Sequence, residues 1–412
     1  MSQSLDSIEV KGVKIPIIFE KDNHLPIVSM QIVLRCAGSI EDNGHSGLAK
    51  FTANILNEGT KKMGSIKFSE ELEQRAINLS ANAGTETFVF ETSSLKEQFP
   101  YSITMLKQLL ADPNFTDDSF SKVKSQTLGM LSSKQSDFDY LAGINLKKLI
   151  YKDTPMAEPF SGTVESINKL KLSDVENFYN SHLDLTNMII VVGGDIGIND
   201  FKKEILPLLQ ELKVGSKREL KYFDANGDKK KEVLKKDTEQ AYIYFGAPFQ
   251  MRSGDKDDYK AKVASFILGE SGFGSRLMEA VRVKKGLAYS IYSRNNINKS
   301  HSSFTGYLQT KNENLEEATK IVKEVIDEFV KKGATADELE QAKKFLLGSE
   351  PLRNETLSQR SSRAFFEYYR GFELGHSKKV LEKIEQLKLS DLNAFIEKHK
   401  EITKLSFSVV TN

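Results

Sequence analysis

At 412 residues the chain is longer than a single hydrophobic core usually organises, so its length favours two or more domains. Its 58 basic and 57 acidic side chains nearly cancel, which argues against nucleic acid or an anionic membrane surface as the main partner. The only cysteine, Cys36, excludes an intrachain disulfide framework and a cysteine-rich metal site.

The sequence also lacks membrane and export signals. No stretch approaches the roughly 18 consecutive apolar residues of a transmembrane helix, and the N-terminus lacks the basic start and long apolar run of a secretory signal. We therefore expect a soluble protein without a membrane partner, located in the cytoplasm, or in the periplasm if a signal peptide was omitted from the sequence.

The first half of the chain alternates strand-like and helix-like patterns. Its predicted strands are VKIPIIFE from Val13, VSMQIVLRC from Val28 and TETFVFETS from Thr85, and its predicted helices are Ser46 to Glu58 and SEELEQRAINL from Ser69.

The first of these helices has two different faces. Ser46 is a plausible N-cap and Gly59 a plausible stop signal. Leu48, Phe51 and Ile55 fall on one apolar face, as a core requires. A second patch on the same helix contains Lys50, Ala53 and Asn54.

The second half has a similar mixture. AYIYFGAPF from Ala241 and SSFTGYLQT from Ser302 are strand-like, while YKAKVASFILG from Tyr259 is helical. A long amphipathic helix begins at Leu315 and ends at Gly333.

An internal duplication relates the two halves. KLKLSDVENFY, which contains Ser173, resembles QLKLSDLNAFI, which contains Ser390, 217 residues later. The strand-like runs that follow begin at Met188 and Leu405, again 217 residues apart. We therefore predict an α+β protein with a first domain over residues 1–212, a polar linker over 213–237 and a second domain over 238–412.

The segment GLAKFTANILNEGT, from Gly47 to Thr60, resembles the G-L-A-H-F-L-E-H-x-L-x-x-G-T segment of the inverted-zincin peptidases, the family of pitrilysin, insulin-degrading enzyme and mitochondrial processing peptidase. That family binds zinc through the two histidines of H-x-x-E-H and uses the glutamate as general base. The resemblance places these three residues at Lys50, Ala53 and Asn54, and the family's third ligand, a glutamate, near Met130.

None of these four residues suits the metal chemistry. A protonated lysine has no lone pair for zinc, alanine cannot accept a proton, and asparagine is a poor substitute for imidazole. No glutamate occurs between Glu97 and Glu158 that a register shift could bring to the third position. We expect no zinc or other cofactor on this chain, and no peptidase activity from the chain alone.

The segment GSRLMEAVRVKKGLAYSIYS, from Gly274 to Ser293, resembles the second signature of the same family. In that signature an arginine and a tyrosine seven residues apart hydrogen-bond the carbonyl of the scissile peptide, and Arg282 and Tyr289 have this spacing. Some short-chain bacterial members divide these duties, one subunit carrying H-x-x-E-H and the other carrying the arginine–tyrosine pair. This chain has the composition of the second kind of subunit.

The resemblance implies a fold of two homologous α/β-roll halves, each an antiparallel sheet packed with helices, arranged as one half of a clamshell. It implies a dimer, hetero or homo, with a related H-x-x-E-H subunit that carries the zinc. The substrate would be an unfolded or extended peptide. The family binds such peptides along an edge strand of the first domain, which corresponds here to Ala81, Asn82 and Ala83.

Two alternatives remain open. The chain could be a peptide-binding or scaffolding homodimer without peptidase activity, which accounts equally well for Lys50, Ala53 and Asn54. An autonomous metallopeptidase with a different metal site is the other alternative, although the sequence supplies no obvious ligands. The glycine-rich stretch GESGFGS, from Gly269, has the wrong spacing for a nucleotide-binding loop.

Overall fold

The chain forms two compact units, each built around one mixed β-sheet, in a computed structural model that describes residues 3–412. The first unit contains the chain up to Ser133, Pro159–Leu220 and Asn354–Tyr369. The second contains Lys134–Glu158, Lys221–Arg353 and Arg370–Asn412. In the described residues, every helix is too short or too polar to cross a membrane.

The strands fall into two groups of six along the chain. They are β1 (Ser4–Val10), β2 (Val13–Lys21), β3 (Ile27–Arg35), β4 (Asn78–Ala83), β5 (Thr87–Leu95), β6 (Met188–Gly194), β7 (Phe223–Asp224), β8 (Lys231–Lys235), β9 (Gln240–Pro248), β10 (Ala288–Ile297), β11 (His301–Lys311) and β12 (Ser406–Thr411).

The α-helices connect and cover these strands. They are α1 (Leu48–Leu56), α2 (Gly64–Glu73), α3 (Phe99–Ala111), α4 (Asp117–Ser133), α5 (Phe138–Ile150), α6 (Val164–Lys169), α7 (Leu172–His182), α8 (Ile198–Leu209), α9 (Asp258–Ser265), α10 (Arg276–Met278), α11 (Leu315–Lys332), α12 (Ala336–Gly348), α13 (Leu357–Tyr369), α14 (His376–Gln386) and α15 (Leu389–Lys398). Two π-helical segments, Phe266–Glu270 and Glu279–Val283, directly follow α9 and α10.

The two sheets have related topologies, as the duplication in the sequence predicts. The first has the order β1-β2-β6-β3-β5-β4, and the second has the order β10-β11-β9-β12-β8 with β7 paired to β11. The α+β class is confirmed, but neither sheet is purely antiparallel. In the first sheet β2 and β6 are parallel, and in the second the β8/β12 and β7/β11 pairs are parallel. The connections from β2 to β6 and from β8 to β12 are long and contain both strands and helices, and such long connections allow parallel pairing.

The two halves of the sequence exchange one helix. Helix α5, from the first half, packs against β9 and β12 of the second unit, while α13, from the second half, packs against β2 and β6 of the first unit. The approach of α13 is close, because a Cβ atom on Gly193 of β6 would lie 2.9 Å from Leu357 Cδ1. No single cut in the sequence therefore separates the two units.

The segment interpreted as a linker, residues 213–237, contains β7 and β8. Strand β8 pairs only with β12, so it is an edge strand, and four of its five residues are exposed. Its charged sequence, KEVLK, is typical of a protected sheet edge, and this composition resembles that of a linker.

The motif helix α1 is capped by a residue that the sequence analysis did not single out. The helix begins at Leu48 with Gly47 as N-cap, and not at Ser46. The buried Asp42 carboxylate accepts hydrogen bonds from the Gly47 and Ala49 N–H groups, both at 2.8 Å. Ser46 Oγ instead donates to the Pro159 carbonyl at 3.0 Å. Asp42 thus satisfies the free N–H groups at the start of α1 and adds a negative charge to the positive end of its dipole.

The Asp42→Ala substitution should destabilise the chain by about 1–2 kcal/mol, because it leaves the first N–H groups of α1 without their acceptor. Thermal denaturation followed by circular dichroism measures the change. Asp42→Asn is the matched control, since it keeps one acceptor oxygen, and we expect it to lose less stability. An unchanged midpoint for Asp42→Ala would contradict this role.

Candidate functional site

The four positions that the resemblance assigns to zinc chemistry lie on two helices of the first unit. Lys50, Ala53 and Asn54 are on α1, and Met130 is on α4. The two helices pack against each other, as shown by the 5.1 Å between ring centroids where Phe51 of α1 meets a phenylalanine of α4. The fold therefore keeps the pair of helices that the resemblance assigns to the metal site.

The side chains at these positions do not fit a zinc ion. Ala53 is fully buried and ends in a methyl group, Lys50 and Asn54 are half-buried, and Met130 is 38% exposed. An ammonium, a carboxamide and a thioether do not form the set of imidazole, carboxylate and thiolate donors that zinc requires. Among residues 3–412, no group of three or more His, Cys, Asp or Glu side chains could hold a metal ion.

Among the described residues, Lys50 does not form an ion pair at the position where the resemblance places the metal. Across the described part of the chain, Lys50 Nζ has no ion pair and no hydrogen bond. By contrast, Lys122 of α4 donates to Glu58 Oε2 at 2.6 Å near the end of α1. A solvated ammonium group is sufficient to explain Lys50.

The predicted peptide-binding residues Ala81, Asn82 and Ala83 lie in β4, which forms one edge of the first sheet. Ala81 is buried, Ala83 is half-buried and Asn82 is exposed. Helix α1 packs beside this strand, so the motif helix and the sheet edge belong to one region of the first unit.

A cavity of about 780 Å³ lies on the other face of the same sheet. Ser80 and Asn78 of β4 line it, whereas Ala81 points to the core side where α1 packs. Its lining is rich in small polar side chains, including Ser29 of β3 and Ser93 of β5. The cavity is therefore separate from the face of α1 that carries the motif positions.

Arg282 and Tyr289 lie in the second unit, and irregular backbone positions both of them. Arg282 is in the π-helical segment Glu279–Val283. Tyr289 is at a bulge in the pairing of β10 with β11, where the register shifts between Ala288 and Ser290. A bulge turns a side chain out of the regular alternation of a strand, and the Tyr289 side chain is 80% exposed. Such irregularities are frequent at functional sites.

A third residue joins this pair. The Arg282 guanidinium carbon lies 4.6 Å from the ring centroid of Phe273 and 5.2 Å from that of Tyr289. These distances are within the range of cation–π attraction. The Phe273 side chain is 69% exposed, although phenylalanine is among the residues most often buried in folded proteins. We call Phe273, Arg282 and Tyr289 the arginine–aromatic cluster.

Phe273 was not identified from the sequence, although a signal was present. It stands between Gly272 and Gly274 in the stretch GESGFGS, and these glycines have φ angles of +68° and +90°. Glycine adopts such angles without strain, so the loop can turn sharply on both sides of an exposed aromatic ring. A phenylalanine isolated between two glycines was the available signal.

The segment that follows the loop is firmly anchored. Arg276 forms a bidentate ion pair with Glu338, with nitrogen–oxygen distances of 2.5 and 2.7 Å, and also donates to the Gly333 carbonyl at 2.7 Å. Burial favours a raised pKa for the Glu338 carboxyl group, but hydrogen bonds from Arg276 and Thr335 outweigh burial and lower this pKa. This anchor fixes α10 at the start of the segment that carries Arg282.

The polar groups of the cluster are not used within the chain. For the residues that the structure describes, the Arg282 guanidinium has no carboxylate or carbonyl partner, and the Tyr289 hydroxyl has no hydrogen bond. A half-buried guanidinium and an exposed phenol therefore keep their donor capacity beside an exposed aromatic ring.

The two-unit α+β fold contains a helix that resembles a peptidase motif but lacks its zinc ligands, which is typical of a peptidase-like protein. Comparisons with known proteins identify the family. Residues 17–164 match the family model described as insulinase (peptidase family M16), and residues 169–346 match the model described as the peptidase M16 inactive domain. The chain is 43% identical over 411 residues to a protein named non-peptidase homolog YmxG from Helicobacter pylori, covering 100% of this chain and 95% of that protein. The chain belongs to the M16 peptidase family.

A more distant relative agrees with this assignment, and a solved structure has the same fold. A protein of Rickettsia felis named an uncharacterized zinc protease is 22% identical over 368 residues, covering 89% of this chain and 88% of the relative. A solved structure described as a peptidase M16 inactive domain from Pseudomonas fluorescens has a TM-score of 0.91 at 22% identity, covering 99% of this chain and 98% of that one. The second likeness confirms the fold.

Replacing Lys50 by alanine should change the free energy of unfolding by less than about 0.5 kcal/mol, since the ammonium has no partner to lose. Urea denaturation measures this value. Arg276→Ala serves as the positive control, because removal of its charged hydrogen bonds should cost about 2–3 kcal/mol. A loss from Lys50→Ala as large as that from Arg276→Ala would show that Lys50 has a structural role in place of the metal.

Proposed function

We propose that this chain is the non-catalytic subunit of a zinc-dependent, processing-type peptidase. In this proposal Arg282 and Tyr289 act at the active site of a related subunit that carries the H-x-x-E-H motif and the zinc. The observation that carries the proposal is the pairing of the half-buried Arg282 with the exposed Tyr289, because neither side chain has a hydrogen-bond partner in the described residues.

The two residue types suit stabilisation of a peptide carbonyl during cleavage. Negative charge develops on the carbonyl oxygen as a peptide bond is attacked, and a donor near that oxygen stabilises the transition state more than the ground state. The guanidinium of Arg282 and the phenol of Tyr289 can both donate to such an oxygen. The Phe273 ring, whose centroid lies 4.6 Å from the guanidinium carbon, limits the directions in which Arg282 can point.

The first unit supports the same proposal, because its motif positions lack the groups needed for hydrolysis. Lys50, Ala53, Asn54 and Met130 offer neither zinc ligands nor a general base. The relative from Helicobacter pylori carries the name of a non-peptidase homolog, which agrees with a chain that performs no hydrolysis by itself. The zinc and the general base then have to come from the partner.

A peptide-binding or scaffolding homodimer is the competing proposal. It explains the altered motif positions on α1 equally well. It gives no reason for an arginine that lies near two exposed rings and has no carboxylate partner in the described residues. For this reason we favour the subunit of a peptidase.

The test is the Tyr289→Phe variant, assembled with the H-x-x-E-H subunit from the same organism. Loss of one donor to the developing oxyanion should lower kcat by about 100-fold. The affinity between the subunits, measured by analytical ultracentrifugation, should remain nearly the same, because the ring that packs on Arg282 is retained.

Tyr292→Phe is the matched control, since Tyr292 lies on the same strand but is half-buried, and it should leave kcat unchanged. Unchanged turnover for Tyr289→Phe in the assembled complex would contradict the proposal. A stable homodimer that binds unfolded peptide and ignores the H-x-x-E-H subunit would favour the scaffolding function.

A further inference from the structure

Some backbone groups on the free edge of the first sheet already have hydrogen-bond partners outside the sheet. Strand β4 pairs with β5 on one side only, in antiparallel register with Ala81 opposite Phe90. In an antiparallel pair, the N–H and C=O groups of alternate residues point either to the neighbouring strand or away from it. The Ala81 groups bond to a side chain outside the sheet, so Ala81 is an outward-pointing residue, and Leu79 and Ala83 share its orientation.

The side chain that meets Ala81 is Asn57. Asn57 Nδ2 donates to the Ala81 carbonyl at 3.0 Å, and the Ala81 N–H donates to Asn57 Oδ1 at 2.8 Å. One carboxamide thus donates and accepts at the same backbone residue. An added β-strand would make the same pair of hydrogen bonds with its main chain.

Asn57 is held at this place by the motif helix. It is the C-cap residue of α1, and its backbone N–H donates to the carbonyls of Ala53 and Ile55. At about 100° per residue, Lys50, Ala53 and Asn54 lie within about 60° of Asn57 around the helix axis. The face of α1 that carries the motif positions therefore also carries the residue that contacts the sheet edge.

The edge is also covered beyond the end of β4. The Gly84 carbonyl accepts a hydrogen bond from the Ser39 N–H at 2.9 Å, and the Thr85 carbonyl accepts one from the Ile40 N–H at 3.1 Å. Ala81 lies in the middle of the strand, between this covered end and Asn78. A peptide that pairs along the whole of β4 has to take the place of the Asn57 side chain.

We propose that Asn57 is a latch on the edge of β4. Its carboxamide occupies the position of an incoming main chain at Ala81, and an extended peptide adds to this edge only when Asn57 is displaced. This inference does not depend on the role of Arg282 and Tyr289, because it concerns the first unit alone.

The cost of opening the latch is modest. The Asn57 side chain is exposed, so it can rotate into water and hydrogen-bond there. A peptide restores the two hydrogen bonds that Ala81 loses. The latch therefore lowers the affinity for peptide by the net value of two hydrogen bonds and does not prevent binding altogether.

The experiment compares wild type, Asn57→Ala and Asn57→Asp, with fluorescein-labelled, reduced and carboxymethylated α-lactalbumin as an unfolded probe. Fluorescence anisotropy gives the affinity, and hydrogen–deuterium exchange gives the protection of the Ala81 amide. Asn57→Ala should bind the probe about tenfold more tightly than wild type. Its Ala81 amide should exchange fast when the protein is free and slowly when the probe is bound.

Asn57→Asp keeps the shape of the side chain and an acceptor for the Ala81 N–H, but it cannot donate to the Ala81 carbonyl. It should bind the probe with intermediate affinity, and it decides the question if Asn57→Ala does not fold. Asn114→Ala is the matched control, because Asn114 Nδ2 donates to the Glu58 carbonyl at 3.1 Å and not to β4. Its affinity should equal that of wild type.

Equal affinities for wild type and both Asn57 variants would overturn the proposal. So would tighter binding by Asn57→Ala without protection of residues 78–83, because the probe would then lie elsewhere. Protection of the Ala81 amide in wild type is expected without the probe, and its absence would also count against the latch.

Discussion

The burial of one face of α1 is the constraint on which the first unit depends. Leu48, Phe51 and Ile55 are almost completely buried, and Asp42 caps the start of the helix. Removal of any of these large side chains would leave a cavity in the core. The positions that the resemblance assigns to zinc ligands on this helix, Lys50 and Asn54, are half-buried and lie outside the core cluster. The packing can therefore persist after the metal chemistry is gone, and this separation explains a peptidase helix without peptidase residues.

In the second unit the residues of interest do not belong to the core. The two rings of its arginine–aromatic cluster are exposed, and the backbone around the cluster is irregular. A π-helical segment carries Arg282, a bulge turns Tyr289 outward, and the Arg276–Glu338 ion pair anchors the start of the segment. Irregular backbone that presents polar groups to solvent gains little stability for the isolated chain. It is consistent with a surface that is completed by another molecule.

The sequence was sufficient where local patterns decide the structure. The apolar period of α1, the stop of α11 at Gly333 and the spacing between the two copies predicted real elements and a repeated α+β fold. Contacts between distant residues were beyond its reach. The exchange of α5 and α13 depends on packing across the whole chain, and the bond from Asn57 to Ala81 joins residues 24 positions apart. Strand β8 was interpreted as linker because its residues are mostly charged. In the structure these charges lie on an edge strand, where they protect the edge of the sheet. Lys50, Ala53 and Asn54 could be identified only through the family resemblance, since no spacing rule distinguishes an altered metal site from an ordinary helix surface.

We infer that the family fold remains here without the metal, and that Arg282 and Tyr289 act on a partner's substrate. The zinc content of the purified chain tests this claim most directly. After exhaustive dialysis against metal-free buffer, elemental analysis should find close to zero zinc per chain. About one zinc per chain would contradict the account, because ligands other than those at the motif positions would then hold a metal, and the chain would have to be considered an autonomous metallopeptidase.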